Sequence, residues 1–153
     1  MPMSSKVSPF LWFDGQAEAA ARFYVSVFPN SRLVSVENLK AGPAEGAAIA
    51  EFEIEGLKFT ALDGGPMYKI TPAISFVVSC ETQDEIDYYW DALTDEGEPA
   101  QCGWLQDKFG VSWQVAPAEL GKLMQRNPSA VTEAFLSMEK FDLELLRKAA
   151  GDA

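Results

Sequence analysis

The stretch Cys102-Gly-Trp-Leu-Gln-Asp-Lys-Phe-Gly-Val-Ser-Trp-Gln-Val-Ala-Pro117 predicts two strand segments joined by a turn at Lys108-Phe109-Gly110. Gly110 supplies a turn geometry that a residue with a Cβ resists. In the second segment Ser112 and Gln114 alternate with the apolar residues Val111, Trp113 and Val115. One strand face is therefore apolar and packs on a helix, while the other carries a hydroxyl and an amide. Ser112 and Gln114 are candidates for lining a site, and an ordinary solvated strand face is the alternative.

The rest of the chain repeats one order of elements. The pattern predicts a strand at 7–14, a helix at 16–28 that Asp14 caps, and strands at 33–39, 48–55 and 57–62. A strand at 73–79 and a helix opening with the capping box Thr82-Gln-Asp-Glu85 then lead to the closing strands. The sequence thus predicts one α+β domain over 1–153, built from two βαβββ modules, 7–66 and 73–117, and a helical tail at 118–150.

The two modules share a pattern of apolar residues. Shifting the first module by 66 residues places Trp12 on Val78 and Tyr24 on Trp90, which is a repeat in pattern and not in identity. Strand and helix alternation points Trp12, Tyr24 and Trp90 toward one another, so all three are predicted core residues. Each module would leave one sheet face uncovered if it folded alone, and two facing sheets would make an open barrel with a cleft.

Composition and charge exclude several classes of function. A chain of 153 residues with 48% hydrophobic content is long enough for one well-buried domain. The net charge of −11 argues against nucleic acid and an anionic membrane surface as partners. Histidine is absent, which excludes a Ser-His-Asp triad and a His-ligated zinc.

Cysteine usage and hydropathy indicate the compartment. Two cysteines are too few for a disulfide framework, and residues 1–9 lack the apolar core of a signal peptide. No apolar run approaches the roughly 20 residues that span a bilayer. We therefore expect a cytoplasmic protein with reduced thiols and no membrane partner.

Acidic and thiol side chains admit both a functional and a structural interpretation. Three glutamates, Glu51, Glu53 and Glu55, alternate along one predicted strand, and a solvated edge strand is favoured over a metal site. Asp107 could orient a ligand or act as a base, although a surface turn carboxylate is the favoured interpretation.

Cys102 and Cys80 could each act as a nucleophile. The sequence places no cation or base beside Cys102, and a low thiol pKa depends on such a neighbour. Buried, inert thiols are therefore the favoured interpretation for both.

Several separated motifs carry a resemblance to a known family. They are Phe10–Tyr24 (FLWFDGQAEAAARFY), Thr71–Phe76 (TPAISF), Cys102–Trp104 (CGW), Phe109–Val115 (FGVSWQV) and Met138–Lys140 (MEK). Together they resemble the PhnB-like branch of the vicinal oxygen chelate superfamily, which contains glyoxalases, bleomycin-resistance proteins and extradiol dioxygenases. The resemblance implies paired βαβββ modules forming an open cupped, mixed β-barrel around a cavity, in a homodimer.

Members of this branch are often described as 3-demethylubiquinone-9 3-methyltransferases. A methyltransferase with a nucleotide cofactor needs a glycine-rich turn between a strand and a helix, and Gly64-Gly65 before Pro66 does not provide one. The sequence therefore argues against that activity.

The resemblance also implies positions for a metal site. Metal-using members of the superfamily place ligands on the first and last strand of each module, and these positions fall near Pro9, Thr60, Ser75 and Gln114. Proline offers only a carbonyl, and the other three are neutral oxygen donors that compete poorly with water for zinc, nickel or iron. We expect the fold without its usual metal site, and no cofactor.

The implied cavity would be lined by neutral polar groups beside aromatic walls. The predicted ligand-binding residues are Phe13, Thr60, Ser75, Trp104, Ser112 and Gln114. Such a pocket suits a small organic ligand held by apolar burial and a few hydrogen bonds, so the predicted function is metal-independent small-molecule binding. A metal-dependent lyase, isomerase or dioxygenase with unconventional ligands is one alternative, and a dimeric interaction module with a vestigial cavity is the other.

Overall fold

The structure, a computed structural model, describes residues 6–151. The chain divides into two compact units between Ile70 and Thr71. This division falls in the segment between the two predicted modules. None of the helices within 6–151 is long and apolar enough to cross a membrane.

The first unit is a four-stranded sheet with one helix packed on it. Its elements are β1 (Phe10–Phe13), α1 (Ala17–Val27), β2 (Ser31–Asn38), β3 (Ala48–Ile54) and β4 (Leu57–Asp63). The strand order is β1-β4-β3-β2, with β1 parallel to β4 and the other neighbours antiparallel. The core holds Tyr24 of α1 and the stacked rings of Phe52 and Phe59, whose centroids are 5.2 Å apart.

The first turn of α1 is capped from the end of β4, so the predicted Asp14 cap is wrong. The residue before the helix is Gln16, whose side chain makes no capping hydrogen bond. The Ala17 amide instead donates to Asp63 Oδ1 (2.7 Å), which satisfies one unpaired amide of the first turn. Asp63 arrives there because β4 runs parallel to β1 and pairs it with Phe13.

The glutamates of β3 lie on an interior strand, so the predicted edge position is wrong. β3 pairs with β2 on one side and with β4 on the other. Glu53 forms an ion pair with Arg32 (3.0 Å) and Glu51 with Lys58 (3.4 Å), while Glu55 lies in the turn beyond the strand. Neighbouring cations therefore balance two of these carboxylates, and the strand stays polar on this face.

The second unit repeats the sheet-and-helix arrangement and adds three helices. Its elements are β5 (Ser75–Cys80), α2 (Gln83–Thr94), β6 (Glu98–Pro99), β7 (Trp104–Gln106), β8 (Ser112–Pro117), α3 (Leu120–Arg126), α4 (Pro128–Leu136) and α5 (Leu143–Ala149). The strand order is β5-β8-β7-β6, with β5 parallel to β8 and the other neighbours antiparallel. The α+β class, with two mixed four-stranded sheets and C-terminal helices, is confirmed.

The predicted cap of α2 by Thr82 is confirmed, while Glu85 bonds the amide of the residue before the cap. Thr82 Oγ1 accepts a hydrogen bond from the Glu85 amide (3.1 Å). Glu85 Oε1 in turn accepts from the Glu81 amide (2.7 Å). Each side chain thus satisfies an amide at the helix start, which fixes where α2 leaves β5.

The helical tail is fastened to the second unit beside the strand that opens the β7–β8 hairpin. The amides of Cys102 and Gly103 donate to the carbonyls of Met138 (2.7 Å) and Glu139 (2.8 Å). The buried Phe141 ring lies against Gly103, and a Cβ at this glycine would overlap the ring. The tail therefore contributes to the core of the second unit.

Candidate functional site

The second sheet carries a row of polar side chains across all four strands. Glu98 of β6 pairs with Gln106 of β7, Gln106 pairs with Ser112 of β8, and Ser112 pairs with Ser75 of β5. Residues paired across neighbouring strands lie on the same face of a sheet. These four residues therefore share one face, which we call the polar face.

Four of the six predicted ligand-binding residues lie on the polar face. Ser75 and Ser112 belong to the row, and Trp104 and Gln114 pair with each other two residues along their strands. The Gln114 Nε2 donates to Ser75 Oγ (3.0 Å), which fixes the amide against β5. The structure thus brings together side chains from positions 75 to 114 of the chain.

The opposite face of this sheet is the apolar core. Leu105, Trp113 and Val115 are all at most 3% exposed, and α2 covers this side with the buried residues Trp90 and Leu93. The predicted alternation along β8 is therefore confirmed.

Asp107 is buried inside the β7–β8 turn, so the favoured surface interpretation is wrong. Asp107 is 3% exposed. Its Oδ1 accepts from the amides of Phe109 (2.8 Å) and Val111 (3.1 Å), and its Oδ2 accepts from Trp113 Nε1 (2.8 Å). With these partners the carboxylate holds the turn and the Trp113 ring, and this role positions the strand that carries Ser112.

A pocket of about 230 Å³ opens at the polar face. It is lined by Pro72, Glu98, Pro99, Ala100, Trp104, Leu105, Gln106 and Ser112. Ser112 is only 2% exposed, and its hydroxyl makes no hydrogen bond to any residue within 6–151. Gln106 Nε2 donates to Gly110 O (3.3 Å), so this amide is oriented by the turn. The Ser112 hydroxyl is therefore a group that a molecule in the pocket can contact.

The residues at the implied metal positions do not fit a divalent metal. The Pro9 carbonyl accepts the Thr60 backbone amide (3.1 Å), and the Gln114 side chain donates to Ser75 Oγ (3.0 Å), so three of these four candidate ligand groups are engaged in hydrogen bonds. All of them are neutral oxygen donors, which are weak ligands for zinc, nickel or iron. Within 6–151 no three His, Cys, Asp or Glu side chains are grouped to hold a metal ion.

The positions of Phe13 and Trp12 on the first sheet are exchanged relative to the prediction, which placed Phe13 in the cavity wall and Trp12 in the core. Phe13 is 4% exposed and belongs to the core beneath α1. Thr60 pairs with Phe10, and strand alternation therefore places Trp12 on the face of Thr60 and Phe13 on the other. The Trp12 indole is only half-buried and donates to Gly65 O (2.8 Å). Trp12 is thus not a core residue, and Phe13 does not lie on the face that carries Thr60.

Glu98 and Gln106 were not among the residues predicted from the sequence. The turn at Lys108-Phe109-Gly110 was a usable signal for Gln106, because a hairpin register around it pairs residues 106 and 112. Glu98 lies on a strand of two residues, β6, which periodicity does not distinguish from a loop.

The two cysteines differ in burial. Cys80 is 1% exposed, and burial raises the pKa of its thiol to about 12, with the nearby Glu85 and Glu81 acting in the same direction. Cys102 is half-buried, so the buried-thiol expectation holds for Cys80 alone.

A larger groove of about 580 Å³ lies between the start of α2 and the tail. Both of its cations are paired, Lys140 with Asp87 (2.8 Å) and Arg147 with Glu119 (2.7 Å). The hydrogen bond from Lys140 lowers the pKa of Asp87, and the hydrogen bond from Arg147 lowers that of Glu119. Gln83 Nε2 also donates to Asp87 (3.0 Å). The Lys140–Asp87 pair joins the tail to α2, and the Arg147–Glu119 pair joins α5 to the start of α3 within the tail.

Comparison with known proteins places the chain in a family. The model of a family described as 3-demethylubiquinone-9 3-methyltransferase matches residues 5–116. A PhnB protein from Bacillus cereus, with the same methyltransferase description, is 37% identical, covering 74% of this chain and all (100%) of that chain, with a TM-score of 0.67.

Two more distant structures are similar in fold alone. Protein PA1353 from Pseudomonas aeruginosa is 19% identical over 74% of this chain and 98% of its own, with a TM-score of 0.63. The fosfomycin resistance protein FosX from Listeria monocytogenes is 12% identical over 78% of this chain and 96% of its own, with a TM-score of 0.57. No curated protein sequence matches the chain. This chain therefore belongs to the PhnB-like family described as 3-demethylubiquinone-9 3-methyltransferases, within the glyoxalase-like fold of the vicinal oxygen chelate superfamily.

Proposed function

We propose that this protein binds a small organic molecule in the pocket at the polar face, without a metal ion. The observation that carries the proposal is Ser112, which lines the pocket and whose hydroxyl makes no hydrogen bond to a residue within 6–151. A hydrogen bond between a ligand and this hydroxyl contributes about 0.5–1.5 kcal/mol to binding.

The rest of the pocket suits the same kind of ligand. Trp104 and two prolines supply apolar surface, and Gln106 supplies an oriented amide. The pocket volume of about 230 Å³ lies just below the usual range for drug-sized ligands, which favours a smaller molecule.

Methyl transfer, which the family description names, is not the activity that we propose. The pair Gly64-Gly65 follows β4 and does not open a helix. A Cβ at Gly64 would overlap the Trp12 indole, which gives this glycine a packing role. A nucleotide-binding turn requires the glycines at the start of a helix.

A thermal-shift screen of chelator-treated protein against small aromatic and heteroaromatic compounds tests the proposal. Compounds that raise the Tm of the wild type are then titrated into Ser112→Ala and into Ser79→Ala, an exposed serine on β5 outside the pocket lining. We expect Ser112→Ala to weaken binding about five- to tenfold, because one hydrogen bond is lost. Ser79→Ala should bind like the wild type.

The stability of the same variants separates a binding role from a structural one. Because Ser112→Ala removes no hydrogen bond within residues 6–151, this variant should unfold at about the same temperature as the wild type. A screen without any binding compound, or equal affinities of the two serine variants, would overturn the proposal.

We further propose a homodimer, as the family resemblance implies. Large apolar side chains that a partner could cover include Ile74, Val77 and Tyr88, which are 71%, 59% and 50% exposed. Light scattering should give twice the chain mass of 16.8 kDa, and the mass of a single chain at micromolar concentration would contradict a dimer.

A further inference from the structure

We infer that the ligand of the polar-face pocket is a small organic cation, an arylalkylamine in chemical class, and this inference rests on the proposed binding function. Among the residues that line the pocket, Glu98 is the one ionisable group, and there is no lysine or arginine. The pocket therefore offers negative charge and no positive charge. An anionic ligand would find no charged partner there.

Glu98 is available to a ligand. It is exposed, and it forms no ion pair with any residue within 6–151. Its register partner is Gln106, so the carboxylate stands on the polar face beside that amide. Some carboxylates elsewhere in residues 6–151 have a cation beside them, as Glu53 has Arg32 and Glu119 has Arg147, whereas Glu98 has none. An unpaired carboxylate at a pocket favours a cationic partner.

The neutral polar groups of the row favour a hydrogen-bond donor as well. Gln106 uses its Nε2 on Gly110 O, which leaves its Oε1 as the group open to a ligand. Next in the row, Ser112 can accept through its hydroxyl oxygen. Three acceptors therefore stand side by side, in the order carboxylate, amide oxygen and hydroxyl.

The aromatic side chain of Trp104 lines the same pocket. A cation within reach of an indole face is attracted by the ring electrons, and an aromatic ligand also gains by stacking. The net charge of −11 further raises the local concentration of cations around the protein. The Glu98 carboxylate, the Trp104 indole and the hydrogen-bond acceptors of the row therefore all favour a cationic ligand with an aromatic ring.

Titration with three probes of similar size tests the charge of the ligand. The probes are benzylamine, benzyl alcohol and benzoate, and the protein is the full chain in low-salt buffer, observed by NMR. We expect benzylamine to bind about fivefold more tightly than benzyl alcohol, and benzoate to bind most weakly. Added salt should weaken benzylamine binding and leave benzyl alcohol binding unchanged.

Two variants identify the group responsible. Glu98→Gln should remove the advantage of benzylamine while keeping the affinity for benzyl alcohol. Glu96→Gln, an acidic residue on the same connection but outside the pocket lining, should keep the wild-type order.

Equal or tighter binding of benzyl alcohol or benzoate would overturn the cation inference and leave the proposed binding function standing. An unchanged preference for benzylamine in Glu98→Gln would also overturn it. If benzylamine does not bind at all, the inference fails, and the proposed function fails with it only if the wider screen also finds no ligand.

Discussion

Asp107 holds the β7–β8 turn from inside. Its carboxylate accepts hydrogen bonds from two backbone amides and from the indole of Trp113, and all three bonds are buried or half-buried. We expect Asp107→Ala to lower the free energy of unfolding by about 3 kcal/mol, because it leaves buried donors unpaired. Asp107→Asn keeps one acceptor oxygen and should lose about half as much.

Urea denaturation followed by tryptophan fluorescence measures both losses. Asp91→Ala, an exposed acidic residue on α2, is the control and should change stability by less than about 0.5 kcal/mol. A loss for Asp107→Ala no larger than the control would mean that the turn does not depend on this carboxylate.

The thiols provide a second prediction. Since burial raises the pKa of Cys80 to about 12 from an ordinary 9.0, its thiolate fraction near pH 8 falls about 1000-fold. Ellman's reagent followed by mass spectrometry should therefore label Cys102 in the native protein, and Cys80 only after unfolding. Equal labelling rates of the two cysteines in native buffer would contradict the buried position of Cys80.

One residue of register explains the two errors on β1. The buried strand residues Phe13 and Val78 are 65 positions apart, whereas the buried helix residues Tyr24 and Trp90 are 66 apart. A single offset of 66 residues therefore aligns the two helices correctly but misaligns the two strands by one residue. Because strand side chains alternate with a period of two, the slip exchanged the faces of Trp12 and Phe13.

For β8, the sequence alone was sufficient to predict which side chains share a face. Gly110, at a φ of +89°, fixes the turn, and the alternation that follows it has one register only. Ser112 and Gln114 were therefore predictable as polar-face residues. The burial of Asp107 was harder to predict. An aspartate often accepts a hydrogen bond from the backbone amide two residues later in a turn, and Asp107 does so with Phe109.

At the scale of elements, the Gln83 side chain of α2 bonds to the tail at two points. Gln83 donates to Phe141 O (3.0 Å) and accepts from the Leu143 amide (2.8 Å). We expect Gln83→Ala to cost about 2 kcal/mol and to speed amide hydrogen exchange in residues 138–150, since the start of α5 loses its anchor.

Hydrogen exchange with mass spectrometry resolves this effect by segment. Gln125→Ala, an exposed glutamine on α3, should leave exchange in the tail unchanged. Uniformly faster exchange over both units in Gln83→Ala would point to global destabilisation and contradict a local anchor.

At the scale of the whole molecule, the family and the fold class were predictable because several motifs are spread from Phe10 to Lys140. The order of elements recurs in both units, and the α+β class follows from it. The pocket was only partly predictable. Its acidic member Glu98 depends on pairing between β6 and β7, and such non-local pairing leaves no periodic signal in a two-residue strand.

The central claim is that the polar-face pocket binds a small organic molecule without a metal ion. The most direct test is an NMR titration of chelator-stripped, isotope-labelled protein with the tightest compound from the screen. We predict saturable shifts of the Trp104 indole and of the amides of Gln106 and Ser112, unchanged by added manganese, nickel or zinc. Shifts confined to other residues, or binding that appears only after metal is added, would contradict the claim.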